Sequence, residues 1–177
     1  MILNLFRKKR SNSAIIKRQY EELTDAARQM AFYRDMNVPD TVLGRFEMLS
    51  ILMMLYLRAT KDKGEAVEGL AQDIVDAFFE DIDHSIRELG IGDAGVPKRM
   101  KKLAGMFYGR ADSYGKAIEN DDVGELNTAL IRNLFPEKIE KAPDMSELGR
   151  YLIASDKALA DCHTDEMAKG NLKIVRA

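Results

Sequence analysis

The sequence predicts an all-α protein, a single-domain bundle of about six helices. Only four prolines occur in 177 residues, and between them apolar residues recur every three or four positions, which is the helical period. With 46% hydrophobic and 32% charged residues, the composition is that of a soluble globular domain. A chain of this length buries roughly 70% of its unfolded surface. It needs neither a structural metal nor disulfides, and the single cysteine, Cys162, has no intrachain partner.

Two long helices are predicted in the first third of the chain. Ser13 is placed to cap the first helix, and residues 37–40, which include Pro39, end it. The second helix covers about residues 41–60, with Asp40 or Thr41 as its cap. This second helix is apolar on nearly all sides, so we expect either a central, buried position or a face that awaits a partner.

Four further helices follow. The third covers residues 65–89 and ends at Gly90, and the fourth starts at Pro97. Three glycines lie in the fourth helix, Gly105, Gly109 and Gly115, and predict either close approach of another backbone or a local break. The fifth helix starts at Asp121 or Asp122 and ends at residues 135–136, and the sixth runs from about residue 144 to residue 170.

The domain organisation follows from these helices. Residues 1–12 form a basic N-terminal segment, expected to be either disordered or in contact with a membrane surface. The helical domain covers residues 13–170, and residues 171–177 form a tail with no evident partner. The longest apolar stretch, residues 48–57, is about half of the ~20 residues that a membrane-spanning helix requires. Residues 1–10 place apolar residues before the cations, which is the reverse of a secretory signal.

Charge is divided along the chain although the net charge is only -2. Residues 61–93 hold ten acids and three cations, whereas residues 96–116 hold six cations and one acid. The two blocks either neutralise each other across the turn that joins them, or the second forms a cationic docking patch for ribosomal RNA, lipid headgroups or an acidic protein loop. RNA is the weaker candidate, because the patch lacks interleaved aromatic residues.

No catalytic or metal-binding pattern is present, so an enzyme is not expected. Acidic residues of the third helix lie near His84, and a second group surrounds Cys162 and His163, but neither has the spacing of a bundle metal site or a zinc site. A solvated acidic face explains the first group. We predict no catalytic residue, no metal and no cofactor.

Ten methionines are unusual for this length, and several lie on the two most apolar helices. They either fill the core or give a flexible surface that holds a hydrophobic polypeptide, because methionine adapts to varied apolar shapes.

A combination of short motifs resembles the ubiquinol-cytochrome c chaperone family. The resemblance covers about residues 40–160. Its motifs are Phe78-Phe79-Glu80-Asp81-Ile82-Asp83, then residues 86–93, then Val96, Lys98, Met100 and Lys101, then Phe107-Tyr108-Gly109-Arg110 with Ala111 and Tyr114, then Asp121-Asp122, Leu126 and residues 129–135. The ordered combination is more specific than any single motif. The chain departs from the mitochondrial pattern in having no Trp in the second helix and no transit peptide, which points to a bacterial member.

The resemblance implies a helical, non-catalytic assembly factor for the cytochrome bc1 complex that binds newly made cytochrome b or another subunit of that complex. It also implies a small partner protein or the ribosome as further partners. The basic N-terminal segment suggests an anionic membrane surface as another partner. Binding to sequence-specific nucleic acid is not expected. The expected location is the cytoplasm, with the surface of the bacterial inner membrane as the alternative. A peripheral membrane or ribosome adaptor that holds no client is the alternative function.

Ten side chains are candidates for partner binding. Met53, Met54, Met106, Phe107 and Tyr108 are expected to form an apolar client surface, and Lys98, Lys101, Lys102 and Arg110 to orient an acidic loop, a headgroup or the ribosome. Tyr114, which belongs to the same motif, completes the set.

Overall fold

Helices make up the fold that the computed structural model describes, which covers the backbone of residues 2–171 and 174–177 and the side chains of residues 13–171 and 174–177. Within those ranges there are eight α-helices, one 3₁₀ helix and no strand, which confirms the all-α prediction. The α-helices are α1 (Ile2–Ala27), α2 (Met30–Arg34), α3 (Val42–Thr60), α4 (Glu65–Glu88), α5 (Val96–Glu119), α6 (Val123–Leu134), α7 (Ser146–Ala160) and α8 (Thr164–Ala168), and the 3₁₀ helix is Ile139–Lys141.

Capping residues explain the boundaries of the middle helices. The Thr41 hydroxyl accepts a hydrogen bond from the Gly44 amide at the start of α3 (3.0 Å), and the Asp122 carboxylate accepts one from the Glu125 amide at the start of α6 (2.8 Å). Gly90 has a φ of 77°, which is the left-handed conformation that ends a helix after α4. These boundaries agree with the sequence to within a residue or two.

The centre of the core is α3. Met48, Ile51, Leu52, Leu55 and Tyr56 are each at most 2% exposed, and α3 packs against α1, α4, α5 and α7. Of the two explanations for its all-round hydrophobicity, the central position is the correct one for most of its length. Its first turn is the exception, because Val42 and Leu43 are exposed.

The first and last predicted helices differ from the structure. Helix α1 begins at Ile2 and passes through Ser13, so Ser13 is not its cap, and the helix crosses the expected boundary at residue 12. It ends at Ala27 because Gln29 adopts an extended backbone (ψ 129°). The predicted sixth helix is divided into α7 and α8, since His163 is also extended (ψ 137°). The expected membrane contact of residues 1–10 concerns side chains outside those described.

The glycines of α5 neither break the helix nor admit another backbone. The helix is continuous from Val96 to Glu119, and a Cβ atom at Gly105 or Gly109 would meet nothing within 4 Å. At Gly115 the nearest atom is a side-chain nitrogen of Arg58 at 3.2 Å. Both predicted explanations are therefore wrong for this helix.

The end of the chain packs against the bundle, although the sequence suggested no partner for it. The Tyr151 hydroxyl donates to the Val175 carbonyl oxygen (2.7 Å), and the Ala177 amide donates to the side-chain oxygen of Gln29 (2.9 Å). Ile174 and Val175 pack on the core. This tail joins α7 to the α1–α2 junction.

Among the described residues, no helix has the length and hydrophobicity required to cross a membrane.

A candidate binding groove

A groove of about 1040 Å³ lies where α1, α3, α4 and α5 meet. Its floor is apolar because α3 and α4 turn their large side chains toward the crevice between them. The floor is formed by Phe46, Leu49, Phe78, Ile82, Ile86 and Leu103, with Met106 at one end. Aromatic contacts support part of this floor: the rings of Phe46 and Phe78 are stacked with centroids 6.1 Å apart, and the buried ring of Phe107 lies tilted against Phe78 at 5.5 Å.

Exposed aliphatic residues border the groove. Val42 and Leu43 lie on the first turn of α3 and Leu89 follows the end of α4, with relative exposures of 75%, 45% and 65%. Hydration of exposed aliphatic side chains is unfavourable. Adjacent exposed apolar residues therefore often mark interaction surfaces.

Three cations of α5 lie around the same groove. Lys98, Arg99 and Lys102 of α5 are exposed, line the groove and make no ion pair with any described acid. The one acid in the lining, Asp81, accepts a hydrogen bond from the Tyr20 hydroxyl (2.8 Å). Desolvation and this carboxylate raise the pKa of Tyr20, so its hydroxyl remains a donor.

Among the described residues, no ion pair joins an acid of residues 61–93 to a cation of α5. Arg87, which itself belongs to α4, forms ion pairs with both nearby acids, Asp83 (2.6 Å) and Asp93 (2.5 Å). The cations at the start of α5 face solvent, and their role as a docking patch stays a prediction.

A buried ion pair joins α3 to α5 outside the groove lining. The Arg110 guanidinium lies 2.6 Å from Glu47, whose side chain is 1% exposed. The geometry is not that of a hydrogen bond, and neither carboxylate oxygen of Glu47 has a hydrogen-bond donor among the described residues. Burial raises the pKa of Glu47 to about 7, against the opposing attraction of the Arg110 charge.

The structure separates the ten predicted side chains into three groups. Met106, Lys98 and Lys102 line the groove, and Lys101 is exposed beside them. Tyr108 is 58% exposed but lies outside the groove lining, where its ring stacks on that of Phe79. The remaining five are Met53, Met54, Phe107, Tyr114 and Arg110.

These five do not form the surface that was expected of them. Met53, Met54, Phe107 and Tyr114 are each at most 3% exposed and belong to the core, and the Arg110 side chain is 12% exposed and paired with Glu47. The reason is the central position of α3, which turns the second half of that helix, with both methionines, toward its neighbours. The methionines there fill the core.

Sequence reasoning missed most of the groove. Neither Val42, Leu43 and Leu89 nor the residues of the groove floor were among the predicted binding residues. A signal was present in the apolar pair at the first turn of α3, where a buried stripe would not require two adjacent large residues.

Neither acidic group forms a metal site within the described part of the chain, where no cluster of three or more His, Cys, Asp or Glu side chains is placed to hold an ion. Around His163, the Glu166 side chain instead interacts with Lys169 and Asn171.

Comparison with a solved structure shows that the same fold occurs in another protein. The crystal structure of the Cbp3 homolog from Brucella abortus is similar over 99% of this chain and 97% of that chain, with a TM-score of 0.89 and 48% sequence identity. This bacterial similarity supports the expectation of a bacterial member.

Curated relatives match a smaller share. The ubiquinol-cytochrome-c reductase complex assembly factor 1 of Xenopus laevis is 25% identical over 121 residues, which are 68% of this chain and 60% of the relative. The corresponding human protein is 25% identical over 135 residues, 76% of this chain and 45% of the relative. The chain thus spans about half the length of these relatives. The family model for the ubiquinol-cytochrome C chaperone matches residues 34–174, which include α3 to α8 and most of the groove lining. The chain therefore belongs to the ubiquinol-cytochrome C chaperone family.

Proposed function

We propose that this chain is a non-catalytic assembly chaperone of the cytochrome bc1 complex and that its groove holds an apolar segment of newly made cytochrome b. Family membership supports the assembly role, and the relatives bear the name of assembly factors for the ubiquinol-cytochrome-c reductase complex. The observation that carries the client-holding part is the apolar floor, open to solvent between α3 and α4.

The floor suits a hydrophobic polypeptide better than a small polar ligand. Small-molecule sites occupy about 300–1,000 Å³ and aim a few polar groups at the ligand. This groove is at the upper end of that range, and along its described floor the side chains are aliphatic, aromatic or thioether groups. An amphipathic or apolar helix laid into such a groove is a common mode of recognition. Each large client side chain that becomes fully buried contributes about 1.5–3 kcal/mol.

Shielding requires no chemistry from the chaperone. A membrane-protein segment outside the bilayer exposes apolar surface that would otherwise aggregate, and covering that surface until assembly is a binding function. Other subunits of the complex, or a small partner protein, are the further binding partners that this proposal allows.

The test is copurification from gently solubilised native membranes, followed by identification of bound proteins by mass spectrometry. The variant is Met106→Glu, which places a carboxylate at the end of the floor, and the matched control is Met100→Glu. Both methionines are partly buried on α5, but only Met106 lines the groove. Cytochrome b is expected with the wild type and the control and not with Met106→Glu, with thermal melting used to check that both variants are folded.

A different outcome would redirect the proposal. Cytochrome b retained by a folded Met106→Glu variant would place the client on another surface. Its absence from the wild type, with ribosomal proteins or lipids in its place, would replace client holding with the adaptor function.

A further inference from the structure

The mouth of the groove combines apolar and cationic side chains in a way that the groove floor does not explain. The described residues include six exposed large hydrophobic side chains, and three of them border this one groove: Val42, Leu43 and Leu89. The side chains of Lys98, Arg99 and Lys102 stand around the same opening. We call these six residues the groove mouth.

The cations of the groove mouth are not used by the fold. None of the three makes an ion pair with a described acid, and all three are exposed. They lie in the first two turns of α5, a helix with no acidic side chain in its first turn, so they oppose the positive end of the helix dipole. Cations that lie at the positive end of a helix dipole and pair with no described acid indicate an anion outside the chain.

We propose that the groove mouth docks on an anionic lipid bilayer, with Val42, Leu43 and Leu89 entering the boundary between headgroups and acyl chains and Lys98, Arg99 and Lys102 contacting the lipid phosphates. Binding to an anionic membrane interface is strengthened both by inserted aliphatic side chains and by cations beside them. A protein surface that binds single-stranded RNA typically exposes aromatic rings on which the bases stack. The exposed apolar residues of the groove mouth are instead aliphatic. An acidic protein loop would satisfy the cations and leave the aliphatic side chains in water.

Docking in this orientation would open the groove directly onto the bilayer. The inference goes beyond the proposed function, because the empty chaperone must bind lipid without any client present. Its failure would leave client holding intact, and failure of client holding would leave lipid binding intact.

The test is flotation of the full chain with vesicles of phosphatidylcholine alone and with vesicles that contain phosphatidylglycerol as about one third of the lipid. We expect binding to the anionic vesicles only, and weaker binding at about 0.3 M salt because salt screens exposed charges. The double variant Lys98→Glu, Lys102→Glu should reduce the partition coefficient by at least about tenfold. Leu89→Gln should reduce it by about threefold or more, since that side chain loses its insertion into the acyl boundary.

The 3₁₀ helix supplies a matched control. Ile139 is 53% exposed and lies between Lys138 and Glu140, with Lys141 next along the chain. It is thus an exposed aliphatic side chain with two nearby cations, but Glu137 and Glu140 offset their charge and none of these residues lines the groove. The changes Lys138→Glu, Lys141→Glu and Ile139→Gln should leave vesicle binding unchanged. The groove-mouth variants should melt at the wild-type temperature, because the altered side chains make no described hydrogen bond or ion pair.

Two results would overturn the proposal. One is vesicle binding that survives in the folded Lys98→Glu, Lys102→Glu variant but disappears when Arg7, Lys8, Lys9 and Arg10 are replaced by Gln in the full chain. The other is equal loss in the groove-mouth and 3₁₀-helix variants, which would indicate a general charge effect instead of a docking surface.

Discussion

A carboxylate with almost no exposure is the most unusual single residue of this protein. Glu47 sits on the central helix with its one described cationic neighbour, Arg110, on α5. Removing two charges from water costs several kcal/mol, and an imperfectly hydrogen-bonded pair does not recover all of it. The pair therefore links α3 to α5 with little net gain in the stability of the fold.

The raised pKa of Glu47 predicts a pH dependence of stability. The folded chain holds this proton up to a pKa of about 7, whereas the unfolded chain releases it near the ordinary glutamate pKa of 4.5. Between these values the folded state binds more protons, so raising the pH lowers the free energy of unfolding, by at most about 1.4 kcal/mol per pH unit. Glu47→Gln should remove this slope, as measured by urea unfolding at pH 5, 6, 7 and 8. Parallel profiles for the two proteins would contradict the assignment.

Gly44 is a residue at which only a hydrogen atom fits. A Cβ atom there would lie 1.9 Å from the carbonyl oxygen of Pro39 and 3.0 Å from its carbonyl carbon, both of them backbone atoms. We predict that Gly44→Ala lowers the free energy of unfolding by about 1–3 kcal/mol, because the chain before α3 must shift. Gly69→Ala on α4, where a Cβ would meet nothing within 4 Å, is the matched control and should not destabilise. Equal effects of the two changes would show that the close approach is absent.

At the scale of one element, α5 retains glycines that its own packing does not need. Gly105 and Gly109 lie in open space in the middle of a 24-residue helix. Replacement by Ala should raise the free energy of unfolding by about 0.5–1 kcal/mol at each site, since Ala loses less backbone entropy in a helix. Gly115→Ala should gain less, because its Cβ would press on Arg58. Thermal melting of the three single variants tests this order, and a loss of stability at Gly105 or Gly109 would contradict it.

At the scale of the whole molecule, the ends of the chain are tied to the central helix through one buried amide. The side-chain nitrogen of Gln19 donates to the Met167 carbonyl oxygen (2.6 Å), and its oxygen accepts from the Tyr56 hydroxyl (2.6 Å). Gln19 is fully buried. These two bonds connect α1, α3 and α8, which are distant in sequence.

We predict that Gln19→Leu costs about 1–3 kcal/mol in the free energy of unfolding, because it leaves the buried Tyr56 hydroxyl without a partner and the Met167 carbonyl oxygen with only the Gly170 amide as donor. Gln72→Leu is the control, since Gln72 is exposed and bonds only to Asp76 on its own helix. Chemical unfolding of both variants measures the difference. A cost at Gln19 no larger than that at Gln72 would mean that the network contributes little to joining the ends.

Parts of the candidate site could be predicted from the sequence, and others could not. Lys98 and Lys102 were predicted as a patch because their density on one short stretch is a local property. Met53 and Met54 were misplaced because composition cannot tell a methionine that fills a core from one that faces a partner. Only the packing of α3 among four other helices decides that question.

The sequence by itself determined the helical class, the limits of α3, α4, α5 and α6 to within a few residues, and the separation of acidic from basic stretches. These features depend on short-range periodicity, capping side chains and proline, which act between residues a few positions apart. The tertiary structure alone decided the groove, the pairing of Glu47 with Arg110 and the docking of the C-terminal tail. Each of these depends on contacts between residues far apart in the chain, whose geometry is set by how whole helices pack.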